Sequence, residues 1–82
     1  MLTQRQLTER LHIVRLVEVY GGLLTARQLR QLRMYYLDDL SLGEVADQLD
    51  VTRQAVFDSL KRSLDKLNRL EGELHLVRRP RL

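Results

Sequence analysis

Apolar residues recur at helical spacing along the chain, and four short signals mark where successive helices begin. Each signal has an apolar residue, then Thr or Ser, then a second apolar residue four positions after the hydroxyl. The four sets are Leu2-Thr3-Leu7, Leu24-Thr25-Leu29, Leu40-Ser41-Val45 and Val51-Thr52-Val56. The hydroxyl can accept from a free backbone N–H of the first turn, and Gln6, Gln28 and Glu44 complete three capping boxes. The pattern predicts an all-α fold, a bundle of four to five helices.

The apolar spacing between these signals sets the expected length of each helix. Helices are expected over residues 4–20, 26–37, 42–49 and 53–77. Gly21 and Gly22 are expected to end the first helix, because glycine adopts the left-handed conformation that closes helices. The inward face of the first helix is expected to include Leu7, Leu11, Val14 and Val17.

The fourth predicted helix has an apolar seam that repeats about every 3.5 residues. The seam consists of Val56, Leu60, Leu64, Leu67, Leu70, Leu74 and Val77. A continuous helix over 53–77 would be about 37 Å long, which exceeds the size of a small domain, unless Gly72 ends it earlier. Leu67, Leu70, Leu74 and Val77 are therefore candidates for a dimer interface, and burial of these residues by the first helix is the alternative.

The composition indicates a single small domain. The chain has 82 residues, no cysteine and a net charge of +3. We expect one helical domain over 1–77, with a helix-turn-helix at 41–62, followed by a basic tail over 78–82. No apolar run is long enough for a membrane span or a signal peptide, and a cytoplasmic location is expected. No cofactor is expected.

The charges are unevenly distributed along the chain. Residues 1–37 contain six Arg and two Glu, and residues 51–82 contain eight basic and four acidic residues, so each segment carries +4. Residues 38–50 carry five acidic residues and no basic residue. An acidic block over 38–50 therefore separates two basic segments.

The last two helix starts, Ser41 and Thr52, are only eleven residues apart. This spacing predicts a short helix, a tight turn and a second helix, which is the helix-turn-helix arrangement. Ala46 is small enough for the crossing point of the two helices. The outward face of the second helix would then carry Arg53, Gln54, Asp58, Lys61 and Arg62. Gln can bond to adenine edges, and Arg and Lys can bind phosphates or guanine, so these residues are the candidate nucleic-acid contacts.

The stretch YYLDDLSLGEVADQLDVTRQAVFDSLKR, from Tyr35 to Arg62, resembles the YlxM family of small bacterial helix-turn-helix proteins. The segment GGLLT, residues 21–25, fits the linker after the first helix of that family. The resemblance implies a fold similar to region 4 of sigma factors. It also implies a regulatory or accessory role in the signal recognition particle pathway, because members are commonly encoded beside the targeting GTPases. The basic end of this chain, 78–82, departs from the longer and more acidic tails of the family.

Two functions remain open from the sequence. In the first, the chain is a regulatory or accessory protein that binds DNA or RNA. In the second, it is an adaptor that docks a basic protein or ribonucleoprotein of the targeting machinery through its acidic block. The candidate docking residues are Asp38, Asp39, Glu44 and Asp47. No catalytic set or phosphate loop is present, and turn and capping roles explain the acidic residues better than a metal site, so neither an enzyme nor a metal centre is predicted.

Overall fold

A computed structural model describes residues 3–77, and these form four α-helices. The helices are Gln4–Tyr20 (α1), Ala26–Leu32 (α2), Leu42–Leu49 (α3) and Arg53–Leu74 (α4). A 3₁₀ turn, Gly21–Leu23, joins α1 to α2, and a π-helical segment, Arg33–Leu37, continues α2. Residues 3–77 contain no strand. The all-α prediction is confirmed, with four α-helices. Leu2 and the predicted basic tail over 78–82 lie outside the described residues.

Local hydrogen bonds explain why the helices begin where they do. Thr3 Oγ1 accepts from the Gln6 backbone N–H at 3.1 Å, and Gln6 Oε1 accepts from the Thr3 N–H at 2.9 Å. The same reciprocal pair forms at α2 and at α3. At α4, the Thr52 hydroxyl accepts from the Ala55 N–H at 3.0 Å. The four predicted helix starts and the three capping boxes are confirmed.

The hydrophobic core surrounds α4, which α1, α2 and α3 all contact. Its buried apolar residues are Leu16, Val17, Tyr20, Leu32, Met34, Val45, Ala46, Val56, Leu60, Leu67 and Val77. Each fully buried large apolar side chain contributes about 1.5–3 kcal/mol to folding relative to leaving it exposed.

The first half of α1 does not join the core. Leu7 is 47% exposed and Leu11 is 57% exposed, and every residue from 3 to 9 is exposed. The expectation that both leucines face the core is wrong, although Val17 is buried as expected. Apolar periodicity defines the face of a helix, but burial also requires a neighbouring element opposite that face.

Gly21 matters for close packing rather than for a left-handed turn. Its φ is −56°, and no glycine among residues 3–77 has a positive φ. A Cβ built on Gly21 would lie only 3.0 Å from Cδ1 of Leu29. The predicted helix end is therefore correct, but the predicted reason is wrong: Gly21 is not left-handed, and the absence of a Cβ lets Leu29 of α2 pack closely against the end of α1.

Arg10 ties α1 to the π-helical segment. Its guanidinium donates to the backbone carbonyls of Tyr36 at 3.2 Å and Tyr35 at 2.9 Å, and to the Asp39 carboxylate at 2.8 Å. Asp39 has a φ of 59°, and this left-handed residue ends the segment. The carbonyls that the wide π turn leaves free thus gain a charged donor.

The end of α4 is held against α1 by a hydrogen-bond network. The helix passes through Gly72 and ends at Leu74, with the left-handed His75 (φ 52°) as its cap, so the predicted end at residue 77 is wrong. The Tyr20 hydroxyl donates to Glu71 Oε1 at 2.6 Å and accepts from the Leu76 N–H at 3.2 Å. The Val77 N–H donates to the same Glu71 oxygen at 3.0 Å. The pKa of Glu71 is lowered, mainly by the hydrogen bond from Tyr20 and secondly by the one from the Val77 N–H. The pKa of Tyr20 is raised, and burial is the main cause.

The packing of α4 buries part of the candidate dimer seam within one chain. Leu67 is fully buried and Val77 is only 8% exposed within one chain, so neither side chain is available to a partner. Leu70 is half-buried and Leu74 is 49% exposed. The alternative of burial within the monomer therefore describes part of the seam, and dimerisation through the remainder stays a prediction.

Candidate nucleic-acid interface

The helix-turn-helix is fixed by its tight turn and by the small side chain at its crossing. Asp50 ends α3 with a φ of 55°, and the Val51 N–H donates to the Ala46 carbonyl at 3.0 Å. Ala46 is buried, as are Val56 and Leu60 on the facing side of α4. The packing of these residues determines which side of α4 points away from the protein.

All five candidate contact residues on α4 are exposed. They are Arg53, Gln54, Asp58, Lys61 and Arg62. Gln54 Nε2 donates to Asp58 Oδ1 at 3.0 Å, so these two side chains orient each other. Lys61 and Arg62 form no ion pair among residues 3–77. The structure therefore brings the predicted basic groups to one surface, where Asp58 is bonded to Gln54 and neither Lys61 nor Arg62 is ion-paired within the described residues.

Arg53 makes a contact that the sequence patterns did not predict. A Cβ built on Gly43 would lie 3.8 Å from both Cδ and Nε of Arg53, so this side chain lies over the first turn of α3. Arg53, the first residue of α4, thus extends its side chain across to the first turn of α3. Free N–H groups and the helix dipole favour anions at helix N-termini, and a guanidinium adds to this preference. Gly43, at the second position of α3, is the sequence feature that could have indicated this close approach of a side chain.

The acidic candidates are exposed, but two of them have roles within the fold. Asp39 binds Arg10, and Glu44 Oε1 accepts from the Ser41 N–H at 3.0 Å. Asp38 and Asp47 form no ion pair among residues 3–77. The residues that the structure describes contain no group of three side chains suited to hold a metal ion. Among the acidic candidates, Asp38 and Asp47 are therefore the two with neither an ion pair nor a capping bond within residues 3–77.

A helix that crosses a membrane must be both long and predominantly apolar. None of the helices within residues 3–77 combines the length and the apolar character needed to cross a bilayer.

Comparisons with known proteins identify relatives of this chain. A family model described as "Putative helix-turn-helix protein, YlxM / p13 like" matches residues 7–81. The UPF0122 protein of Latilactobacillus sakei subsp. sakei is 51% identical to this chain over 61 residues, and that of Desulforamulus reducens is 53% identical over 60 residues. These matches cover 74% and 73% of this chain, and 54% and 51% of the two relatives. A UPF0122 protein of Pediococcus pentosaceus is 45% identical over 62 residues, which are 76% of this chain and 55% of the relative.

The chain spans about half the length of the curated relatives it matches. No solved structure matches it. The matching family is a helix-turn-helix family rather than a family of enzymes. The family match covers most of the chain, and the relatives share about half of their aligned residues with it. The chain therefore belongs to the UPF0122 family of YlxM/p13-like helix-turn-helix proteins.

Proposed function

We propose that this protein binds nucleic acid through the exposed face of α4 and acts as a regulatory or accessory protein. The observation that carries the proposal is the position of Arg53, Lys61 and Arg62. These residues are exposed on the second helix of the motif, and they form no ion pair among residues 3–77. In helix-turn-helix proteins this helix enters the major groove while flanking basic groups contact phosphates.

The residues of this face have different roles in the proposal. Lys61 and Arg62 bind phosphates. Arg53 also binds a phosphate, at the place where its side chain lies over the first turn of α3. Gln54 uses one Nε2 hydrogen in its bond to Asp58, which leaves the other hydrogen and Oε1 for the edge of a base. Such a donor–acceptor pair matches adenine in the major groove. Asp58 thus acts by holding Gln54 in place.

The family resemblance suggests the cellular setting. It implies a role in the signal recognition particle pathway, which operates in the cytoplasm, and the RNA of the particle is then a candidate ligand beside DNA. A fold similar to region 4 of sigma factors is implied on the same basis.

Two single substitutions test the roles on α4. Lys61→Ala should weaken binding to all sequences equally and reduce the salt slope by about 0.9 for duplex DNA, because one phosphate contact is lost. Gln54→Ala should cost about 1–3 kcal/mol at one base position and leave the salt slope unchanged. Fluorescence anisotropy over a range of salt concentrations measures both effects. Identical affinities for wild type and Lys61→Ala would show that α4 is not the contact surface.

A second candidate function is the adaptor, which the uncompensated charges of Asp38 and Asp47 favour. Asp47→Lys separates the two functions, because it removes a repulsive charge towards phosphates and an attractive one towards a basic protein surface. The nucleic-acid function predicts tighter binding of the variant to DNA or RNA. If the variant instead loses a protein partner that survives nuclease treatment, and neither form binds nucleic acid, the adaptor is correct.

A further inference from the structure

The exposed face of α2 and its π-helical extension carries only basic charge. Arg27, Arg30 and Arg33 follow one another at intervals of three positions, and all three are exposed. No Asp or Glu occurs over residues 19–37. None of the three arginines forms an ion pair with another residue of the 3–77 segment. Three positive charges are therefore presented on one helix face without an ion-pair partner among the described residues.

These arginines border a shallow groove between α2 and the C-terminal end of α3. Arg27 and Arg30 line one part of the groove together with Leu49. Arg30 and Arg33 line the adjoining part together with Gln48. Because Arg30 belongs to both parts, the three side chains form one continuous row, which we call the α2 arginine row.

The spacing of the α2 arginine row suits a phosphate backbone. Neighbouring arginines are about 4.5 Å apart along the helix axis. One strand of duplex DNA carries a phosphate about every 3.4 Å along its axis, so three long side chains about 4.5 Å apart can reach several phosphates of one strand. The guanidinium fork also binds phosphate oxygens in a bidentate manner, which a lysine cannot do.

The row also lies close to the basic side of α4. Lys66 Nζ donates to the Leu23 carbonyl at 2.7 Å, and Leu23 shortly precedes the start of α2. Arg62 is one turn before Lys66 and therefore lies on the same side of α4. A nucleic acid that contacts this side of α4 is thus adjacent to the N-terminal end of α2.

We propose that Arg27, Arg30 and Arg33 form a second phosphate-binding surface, which contacts the sugar–phosphate backbone of the duplex bound by α4. This inference rests on the nucleic-acid function proposed above. Phosphate contacts raise affinity for all sequences and fix orientation, whereas base contacts specify sequence. The α2 arginine row therefore holds the duplex in position while Gln54 contacts a base. Asp38 lines the same groove and opposes this binding with its charge.

The test compares salt slopes for a labelled DNA duplex and for an RNA duplex of the same sequence. The triple variant Arg27→Gln/Arg30→Gln/Arg33→Gln should reduce the slope by about 2 to 3 units and weaken binding about tenfold or more near 0.1 M salt. The loss should be equal for unrelated sequences, since no base contact is removed. The duplex that shows the larger loss of slope is the one whose backbone fits the row.

A matched pair of single substitutions controls for net charge. Arg30→Gln should lower the slope by about 0.9. Arg5→Gln removes the same charge from an exposed site on α1, where Arg5 pairs with Glu9 at 3.5 Å, and should leave the slope unchanged. Circular dichroism verifies that the variants fold.

Each outcome separates this inference from the function on which it rests. If Lys61→Ala lowers the slope while the triple variant does not, the second surface is wrong and the proposed function stands. Equal effects of Arg30→Gln and Arg5→Gln would also overturn the second surface, because net charge alone would then explain the loss. If the wild-type protein binds neither duplex, the proposed function itself is wrong.

Discussion

The two halves of α4 have the same helical geometry but different connections to the rest of the protein. Within residues 3–77, the side chains of the first half, residues 53–62, make no hydrogen bond to another element, and Gln54 bonds to Asp58 inside the helix. Side chains of the second half, residues 63–74, reach other elements: Lys66 bonds to Leu23, and Glu71 bonds to Tyr20. Lys66 and Glu71 of the second half thus help to hold the fold together.

The first half of α4 therefore offers an exposed polar surface, whereas the second half contributes polar contacts that hold the fold together. Both halves bury apolar residues, Val56 and Leu60 in the first and Leu67 in the second. Within the described residues, none of the basic side chains of the first half forms an internal hydrogen bond or ion pair, whereas Lys66 of the second half is bonded to Leu23. We therefore expect substitutions in the first half to alter binding, and polar substitutions in the second half to alter stability alone.

The largest expected effect is the loss of a core leucine in either half. Leu60→Ala and Leu67→Ala should each lower the free energy of unfolding by about 2–5 kcal/mol, because each leaves a cavity beside fully buried neighbours. Urea denaturation measures both values. Leu74→Ala, at a position that is 49% exposed, is the matched control and should cost less than about 1 kcal/mol. A small cost for Leu60→Ala would mean that α4 is rotated about its axis, and the outward face would then be wrong.

Acid should weaken the second half through Glu71. Its pKa is lowered in the folded protein by the Tyr20 hydrogen bond and then by that of Val77. The stabilisation is therefore complete above the unfolded pKa, about 4.3, and is lost as the pH falls through the lower folded value. Glu71→Gln should reduce the melting temperature at pH 7, and the gap to wild type should close in strong acid. A gap that stays constant with pH would contradict the role of the charged carboxylate.

Replacing Gly72 in the second half should stabilise the protein modestly. Gly72 lies inside α4 and is exposed, and a Cβ added there would meet no atom within 4 Å. Gly72→Ala should raise the free energy of unfolding by about 0.5–1 kcal/mol, because alanine restricts the unfolded chain and favours the helix. Gly21→Ala is the matched comparison: its Cβ would lie 3.0 Å from Leu29 Cδ1, so the Leu29 side chain must shift and the variant should gain less stability than Gly72→Ala. Nucleic-acid affinity should not change with Gly72→Ala.

The smallest expected effect concerns self-association of the second half. With Leu67 and Val77 buried, a dimer would rest on Leu74 and on the exposed edge of Leu70. Such a limited apolar area predicts weak association. Sedimentation equilibrium at increasing protein concentration should detect a dimer that Leu74→Glu and Leu70→Glu abolish. A wild-type protein that remains monomeric throughout, like both variants, would rule out this interface.

Much of the fold followed from short-range sequence patterns. The hydroxyl residues at Thr3, Thr25, Ser41 and Thr52 cap the helices as predicted, because a cap and its partner lie within three or four positions. The outward face of α4 was also predictable, since the inward stripe of Val56 and Leu60 determines it. The exposure of Leu7 and Leu11 was not, because it depends on how far the neighbouring helices extend.

The sequence by itself determined where the four α-helices begin and which polar face of α4 is exposed to solvent. These features depend on bonds within one turn and on helical periodicity, which are written locally in the chain. Only the tertiary structure decided that Tyr20 reaches Glu71, that Arg10 holds the π-helical segment, and that Leu67 is covered within one chain. The first of these contacts joins residues 51 positions apart. Such contacts depend on helix lengths and crossing geometry together, which no local pattern specifies.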